Sequence, residues 1–188
     1  MRWCFWKKKS KAKNLKPIPN VTSIGLIIGH TKSDKGAAIY NNAIQEYDYW
    51  KEVASKLVLD KEFAVGFRDN GGVKGACEEI KGKLGHKPDI ILELHFNAYN
   101  GKAKGCEALY IDSKELAEKF CKFMEHKGKK NRGAKDVYAN GRGIKNMEIA
   151  SKYADNVILT EMFFADNKDD YITIKDATKY LQEFLNWL

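Results

Sequence analysis

Two histidines follow apolar runs that have the character of buried strands. His95 closes the run that opens with Ile90 and Ile91, and His30 comes directly after Ile24–Gly29. Short, continuous apolar runs of this kind are typical of strands that are buried on both faces. Ligands of open α/β sheets collect at the carboxyl ends of the strands, so both imidazoles are candidates for a binding site. For His95 the alternative is a hydrogen-bonded histidine of the core.

Two acidic residues extend this pair into a set that could hold a metal. Glu161 ends the apolar run that begins at Val157, and Glu46 lies in the first turns of a predicted helix. Two neutral imidazoles and one carboxylate are the protein ligands of a catalytic zinc site that leaves its fourth position to water. A carboxylate outside that ligand set can act as general base and return the proton to a leaving amine. The residue types therefore point to zinc-assisted hydrolysis, with Glu161 as the general base.

The identity of the carboxylate ligand stays open at this level. His30, Glu46 and His95 are widely spaced and do not form the His-Glu-x-x-His helix of a local zinc signature. Glu93 competes with Glu46, because side chains alternate along a strand and Glu93 shares a face with His95. Glu46 could also be an acid that only stabilises the positive N-terminus of its helix.

Strand-like and helix-like segments alternate along the chain, and they must position these residues. This alternation predicts a single α/β domain with a layered central sheet. Asn41 or Asn42 is the expected N-cap of the first helix, Ser113 is that of a later one, and Lys127–Gly143 is expected to be a long irregular loop beside a site. The predicted strands are 24–28, 63–67, 89–97, 105–111 and 157–161, and the predicted helices are 42–60, 74–84, 113–126, 144–153 and 174–188.

The composition suits one domain with an anionic partner. A chain of 188 residues can bury a core without the help of disulfides. Its 33 Lys and Arg residues exceed its 25 Asp and Glu residues, and the net charge of +8 favours nucleic acid, a lipid surface or a cell-wall polymer. Residues 1–20 are expected to be a basic, flexible leader, and residues 21–188 the folded domain. His86 and His126 lie in Lys- and Gly-rich surroundings and are expected to face solvent.

The cysteines and the leader bear on where the chain is made. Cys4, Cys77, Cys106 and Cys121 form no C-x-x-C pair, which favours free thiols and folding in a reducing compartment. The apolar run Trp3–Trp6 is too short for a signal peptide, and no run is long enough for a transmembrane segment. We therefore expect synthesis in the cytoplasm without a signal peptide. The basic leader, with its aromatic tip, could contact an anionic surface.

Several motifs follow one another in a specific order. They are Gly29-His30, Glu46, Leu94–Ala98, and Thr160–Asn167 with Asp170 just beyond. From Ile24 to the C-terminus, this order resembles that of the zinc-dependent N-acetylmuramoyl-L-alanine amidases of the amidase-3 family. The resemblance implies a twisted, mostly parallel mixed sheet flanked by helices on both faces. It also implies one zinc ion per chain, held by His30, Glu46 and His95, and a catalytic glutamate at Glu161.

Three further residues take part in the resemblance or depart from it. Asn97 matches the asparagine beside the second histidine of the family, and Glu107 belongs to a matching Gly-x-Glu strand. Glu93 departs from the family, because a small serine is common at its position. We interpret Asn97, Glu93 and Glu107 as residues that contact the substrate or support the metal ligands from outside.

The activity implied by the resemblance is cleavage of peptidoglycan at the amide that joins N-acetylmuramic acid to L-alanine of the stem peptide. Without an export signal or a wall-binding repeat, such a chain is expected to be a phage or prophage endolysin that acts on the host wall after release. A bacterial autolysin with the same chemistry is one alternative. A non-enzymatic basic binder of anionic polymer or nucleic acid is another. As an endolysin, the chain is expected to bind peptidoglycan and not nucleic acid.

Overall fold

Six strands form one sheet in the structure, which is a computed structural model that describes residues 21–188. The strands are β1 (Ser23–Ile28), β2 (Glu62–Phe67), β3 (Ile90–Asn97), β4 (Cys106–Tyr110), β5 (Asn131–Asp136) and β6 (Asn156–Phe164). Their order across the sheet is β2-β1-β3-β6-β4-β5. The first four strands in this order are parallel, whereas β4 is antiparallel to β6 and β5 runs parallel to β4. The mostly parallel, mixed α/β architecture expected from the sequence is confirmed.

Helices cover both faces of this sheet. They are α1 (Glu46–Ser55), α2 (Gly72–Leu84), α3 (Lys114–His126), α4 (Val137–Asn140), α5 (Ile144–Ala150) and α6 (Ile174–Trp187). The larger core lies between one face of the sheet and α1, α3 and α6. A smaller core lies between the other face and α2 and α5. The chain is therefore layered as helices, sheet and helices.

The central strand β3 explains why an apolar run can carry charged residues. It lies between β1 and β6, and its residues are buried except at the last position. Leu92 and Leu94 belong to the larger core, whereas Ile91 belongs to the smaller one. Because side chains alternate along a strand, Glu93 and His95 project on the same side as Ile91. They form the polar continuation of the smaller core.

The start of β1 is attached to the start of β3 by a single carboxylate. Oδ2 of Asp89 accepts hydrogen bonds from the backbone N–H and the hydroxyl of Thr22, at 2.8 and 2.9 Å, and from the same two groups of Ser23, at 3.0 and 3.2 Å. Burial alone would raise the pKa of Asp89, but these hydrogen bonds outweigh it and lower the pKa. We propose that the folded domain comprises residues 21–188. The leader expected at residues 1–20 lies outside the described residues.

The first helix begins later than its apolar pattern predicts. Residues 42–60 carry helical periodicity, yet α1 starts at Glu46 and ends at Ser55. Ala38 and Gln45 form an isolated antiparallel bridge, and Asn42 between them has a left-handed φ of 59°. This turn uses the residues expected to cap the helix, so Asn41 and Asn42 are not its N-cap. The N-cap position is Gln45.

The segment expected to be an irregular loop, Lys127–Gly143, contains both β5 and α4. The sequence of β5, Asn-Arg-Gly-Ala-Lys-Asp, has no apolar alternation, because β5 is an edge strand that is ordered by pairing with β4. Ser113 occupies the N-cap position of α3, as expected, but does not cap the helix through its side chain. Its hydroxyl instead accepts the backbone N–H of Val157 at 3.0 Å.

Cys77, Cys106 and Cys121 are free and buried. Within residues 21–188, no helix has the length and apolar character needed to cross a membrane.

His126 is exposed, and the side chain of His86 is about half exposed, as expected.

Candidate active site

The register of the sheet aligns three polar residues across adjacent strands. His95 on β3 pairs with Glu161 on β6, and Glu161 pairs in turn with Glu107 on β4. Residues paired in register project from the same face of a sheet, so these side chains form one row. The row lies beyond the apolar part of the smaller core. Glu161 is not at the end of its strand, as the sequence predicts, because β6 continues to Phe164.

The loop after β1 brings His30 to the end of this row. His30 has a left-handed φ of 66°, which is uncommon for a residue other than glycine. Two glycines leave room for the imidazole rings. A Cβ at Gly29 would lie 2.4 Å from Cε1 of His95, and a Cβ at Gly36 would lie 2.6 Å from Nε2 of His30. These separations are far below van der Waals contact, so a larger residue at either position would displace a histidine.

Glu46, the first residue of α1, joins the two histidines. Its Oε2 lies 3.2 Å from Nε2 of His30, and its Oε1 lies 2.8 Å from Nδ1 of His95. The backbone N–H of Phe96 also donates to Oε1 at 3.1 Å. Burial alone would raise the pKa of Glu46, but its hydrogen bonds to both histidines outweigh burial and lower the pKa to about 2. The carboxylate is therefore fixed by contacts from β3 and from the loop after β1.

This cluster has the donors and the spacing that a zinc site needs. One ligand atom from each of His30, Glu46 and His95 lies within 4.8 Å of the other two, and among residues 21–188 no other group of three such side chains does. Ligands of a tetrahedral zinc ion, each about 2.0–2.1 Å from the metal, are separated by roughly 3.3 Å. The separation of 2.8 Å between Oε1 of Glu46 and Nδ1 of His95, and that of 3.2 Å between Oε2 of Glu46 and Nε2 of His30, are close to that value. The residues therefore fit a zinc ion.

Glu93 lies on the opposite side of His95 from Glu46. Its Oε1 is 3.1 Å from Nε2 of His95 and accepts hydrogen bonds from Nη1 of Arg68 at 3.0 Å and from Nδ2 of Asn146 at 3.2 Å. Burial alone would raise the pKa of Glu93, but the contacts with His95 and the charge of Arg68 outweigh burial and lower the pKa. Because Glu93 faces the other ring nitrogen, it does not join the cluster of possible metal ligands.

His95 is therefore held between two carboxylates. Burial alone would lower the pKa of His95, but Glu46 and Glu93 outweigh it and raise the pKa well above its usual value. Without a metal, both ring nitrogens thus carry protons that these carboxylates accept. A metal ion bound through Nδ1 would replace one proton, and Glu93 would still accept the proton on Nε2.

Glu161 differs from the other acids of the row, because its charge has no compensating partner. Its Oε2 is buried and, among the described residues, has no hydrogen-bond partner. Burial raises the pKa of Glu161 to about 7; the positive charge of His95 opposes this rise and the negative charge of Glu46 adds to it. A carboxyl group with such a pKa can both accept and donate a proton near neutral pH, which general acid and base catalysis requires.

Glu107 on β4 lies on the far side of Glu161 from the histidines, and Asn97 reaches it from β3, two residues beyond His95. Nδ2 of Asn97 donates to Oε1 of Glu107 at 3.2 Å. Glu107 is 1% exposed, and its carboxylate forms ion pairs with three cations, Arg132, Lys135 and Arg142. Burial alone would raise the pKa of Glu107, but these cations outweigh it and lower the pKa to about 2.

Sequence reasoning did not find the partners of the buried acids. Glu93 accepts hydrogen bonds from Arg68 and Asn146, which are distant from it in the chain. The cations around Glu107 that include Arg132 and Arg142 are likewise distant from Glu107 in the chain. The sequence contains only an indirect indication of these partners. An acid inside an apolar strand needs a buried partner, but the sequence of the strand does not show which residue that partner is.

The pKa of Glu161 predicts a specific dependence of stability on pH in the chelator-treated protein. Because the pKa in the folded state, about 7, exceeds the usual value of 4.5, burial of this group destabilises the fold increasingly as pH rises between these values. Glu161→Gln removes this titration. We expect the stability of the wild type relative to the variant to fall by roughly 1–3 kcal/mol between pH 5 and pH 8, as measured by urea unfolding. Glu118→Gln, at a side chain that is 45% exposed, is the control and should keep the wild-type slope. Parallel stability curves for Glu161→Gln and wild type would contradict the prediction.

Comparison with known proteins shows which solved structures share this fold. The fold is similar to that of the catalytic domain of CD27L endolysin targeting Clostridia Difficile, with 28% identity, a TM-score of 0.63, and coverage of 87% of this chain and 96% of that one. It is also similar to the catalytic domain of the N-acetylmuramoyl-L-alanine amidase CwlV of Bacillus (Paenibacillus) polymyxa, with 18% identity, a TM-score of 0.66, and coverage of 88% and 94%. The amidase AmiC2 of Nostoc punctiforme gives 19% identity, a TM-score of 0.64, and coverage of 88% and 93%.

The sequence itself supplies the family. No curated protein sequence matches the chain significantly. The amidase-3 family, described as N-acetylmuramoyl-L-alanine amidase, matches residues 24–184, which is most of the chain and includes every residue of the row. The match confirms the resemblance found in the motifs. The chain therefore belongs to the amidase-3 family of N-acetylmuramoyl-L-alanine amidases.

Proposed function

We propose that this chain is a zinc-dependent amidase that cleaves peptidoglycan between N-acetylmuramic acid and L-alanine of the stem peptide. His30, Glu46 and His95 hold the zinc ion, and Glu161 transfers the proton. The observation that carries the proposal is the shared carboxylate of Glu46, which lies 3.2 Å from one imidazole and 2.8 Å from the other, with the unpaired carboxyl group of Glu161 on the neighbouring strand. Membership of the amidase-3 family supports it.

The residues of the chain divide the work of hydrolysis among them. When bound, a zinc ion lowers the pKa of a water molecule towards about 7 and polarises the scissile carbonyl. Glu161 accepts the proton of the attacking water and delivers it to the nitrogen of L-alanine, which then leaves as an amine. Its burial without a partner keeps that proton transferable. Glu93 accepts the proton on Nε2 of His95 and so orients the imidazole ring.

The first prediction from this assignment concerns metal content. His95→Ala removes one of three ligands and should abolish stoichiometric zinc binding. Glu93→Gln leaves all three ligands but weakens the acceptor that orients His95, so zinc should bind about 10–100-fold more weakly. Elemental analysis and competition with a chelating dye measure both effects. His126→Ala is the matched control, because His126 is exposed and should keep wild-type affinity. Stoichiometric zinc in His95→Ala would overturn the ligand assignment.

The second prediction separates chemistry from binding at Glu161. Glu161→Gln has nearly the same shape but cannot accept and return a proton at neutral pH. We expect its turnover to fall by roughly 10²–10⁴-fold, while zinc content and binding to isolated walls change little. Mass spectrometry of digested peptidoglycan should show new amino termini on L-alanine for the wild type, a product that a non-enzymatic binder would not give. Near-normal turnover would refute the role of Glu161, and loss of zinc would make it a ligand.

We also propose that the amidase acts as a phage or prophage endolysin. The similarity to CD27L endolysin supports this role, and the net charge of +8 suits an anionic wall. The similarity to bacterial amidases such as CwlV keeps an autolysin as the second candidate. Expression inside susceptible cells distinguishes the two roles. An endolysin should lyse the cells only when a separate pore-forming protein is induced, whereas an exported autolysin should reach the wall without it. Lysis without the pore would contradict the endolysin role.

A further inference from the structure

A groove of about 650 Å³ extends from the row of active-site residues. Asn97 lines it and lies two residues beyond His95 on β3, so the groove and the proposed metal centre share a strand. Its lining also includes Arg132, Lys135 and Arg142, together with Glu107 of the row. A substrate held at His95 would therefore extend past Asn97 towards these three cations.

The wall of the groove has more positive charge than its own acid can compensate. Among the residues that line it, Glu107 is the one acid, and Arg132, Lys135 and Arg142 all contact its carboxylate. Arg132 donates to Glu107 through Nε at 3.0 Å, and within residues 21–188 its two terminal nitrogens have no hydrogen-bond acceptor. The side chain of Arg142 is 44% exposed. Donors and charge thus remain available for a second anion.

The separation between the cations and the histidines corresponds to a short piece of peptide. His95, Glu161 and Glu107 lie on successive strands, which are spaced by about 4.8 Å, and β5 with Arg132 and Lys135 is the next strand. The charged ends of the cations contact Glu107, which is two strand spacings or about 10 Å from His95. An extended peptide covers about 3.3–3.6 Å per residue, so this distance corresponds to about three residues counted from the scissile amide.

We propose that this groove binds a carboxylate of the stem peptide, carried by its second or third residue. The inference rests on the proposed amidase function, which puts the amide of the first residue, L-alanine, at His95 and Glu161. The second residue of a stem peptide carries an α-carboxylate when it is D-glutamate and a neutral amide when it is D-isoglutamine. The third carries a side-chain carboxylate when it is diaminopimelate and lacks one when it is lysine. A planar guanidinium recognises a carboxylate through paired hydrogen bonds, as Arg132 and Arg142 can.

The glycan strand explains this charge less well than the peptide does. Its sugars are neutral apart from the lactyl group, which is consumed in the scissile amide. The excess positive charge would gain little from neutral hydroxyl groups, because hydrogen bonds between charged partners are roughly twice as strong as neutral ones. The cations instead suit recognition of an acidic peptide, and the groove discriminates between wall chemistries at these two residues.

Synthetic muramyl tetrapeptides test the inference in the wild-type enzyme. The reference substrate carries D-glutamate and diaminopimelate, a second carries D-isoglutamine in place of D-glutamate, and a third carries lysine in place of diaminopimelate. We expect kcat/KM to fall by roughly 10–100-fold for at least one of the two altered substrates, mainly through KM. The substrate that loses activity identifies the residue whose carboxylate is bound. Equal kcat/KM for all three would overturn the inference and leave the amidase function standing, whereas no cleavage of any would remove both.

A charge variant links the discrimination to the groove. Arg142→Gln, at the most exposed of the three cations, should raise KM for the reference substrate and bring the three kcat/KM values together, with kcat little changed. Lys87→Gln removes the same charge at an ion pair with Asp155, which precedes β6 at the opposite end of the sheet, and should keep the wild-type discrimination. If Arg142→Gln keeps the wild-type ratios of kcat/KM among the three substrates, Arg142 does not bind the carboxylate. If Arg132→Gln keeps these ratios as well, the proposed carboxylate site is wrong.

Discussion

The carboxylate of Glu46 is the contact on which the proposed metal site depends. It lies between the imidazoles of His30 and His95, which come from a loop and from the central strand, while Glu46 itself opens a helix. A buried carboxylate is tolerated only when its charge and its hydrogen bonds are compensated. The two imidazoles and the backbone N–H of Phe96 supply that compensation. The positions of three separate elements are thereby coupled through one side chain.

The charges of the three acids that project from the central strands are compensated differently, and this difference separates Glu161 from the other two. Glu93 is paired with Arg68, and Glu107 is surrounded by cations, so both stay ionised and hold their neighbours in place. Glu161 has no such partner, and its pKa is raised to about 7. A titratable acid between two fixed ones suits a site that moves protons, and its burial costs stability that the rest of the fold must supply.

The mixed direction of the sheet brings Glu107 and its cations beside Glu161. Because β4 is antiparallel to β6, the amino end of β4 lies beside the carboxyl-terminal part of β6. Glu107, the second residue of β4, therefore adjoins Glu161, and the edge strand β5 follows with its cations. If every strand were parallel, the start of β4 would lie at the opposite end of the sheet. The reversal thus extends the row of polar residues from the histidines to the groove.

The sequence by itself determined the layered α/β fold, the amidase-3 family and the residues of the row, because buried strands and short motifs are local patterns. The resemblance implied Glu46 as the carboxylate beside the histidines, whereas the residue types alone left Glu46 and Glu93 open, and only the tertiary structure decided how each of them meets His95. Glu46 begins a helix and Glu93 lies on the strand of His95, and the two carboxylates meet different ring nitrogens of His95. The polar strand β5 and the late start of α1 were likewise decided by pairing across the sheet and by a turn. The physical reason is the same in each case. Contacts between segments that are distant in the chain set the geometry of a side chain, and a local sequence pattern carries no information about those contacts.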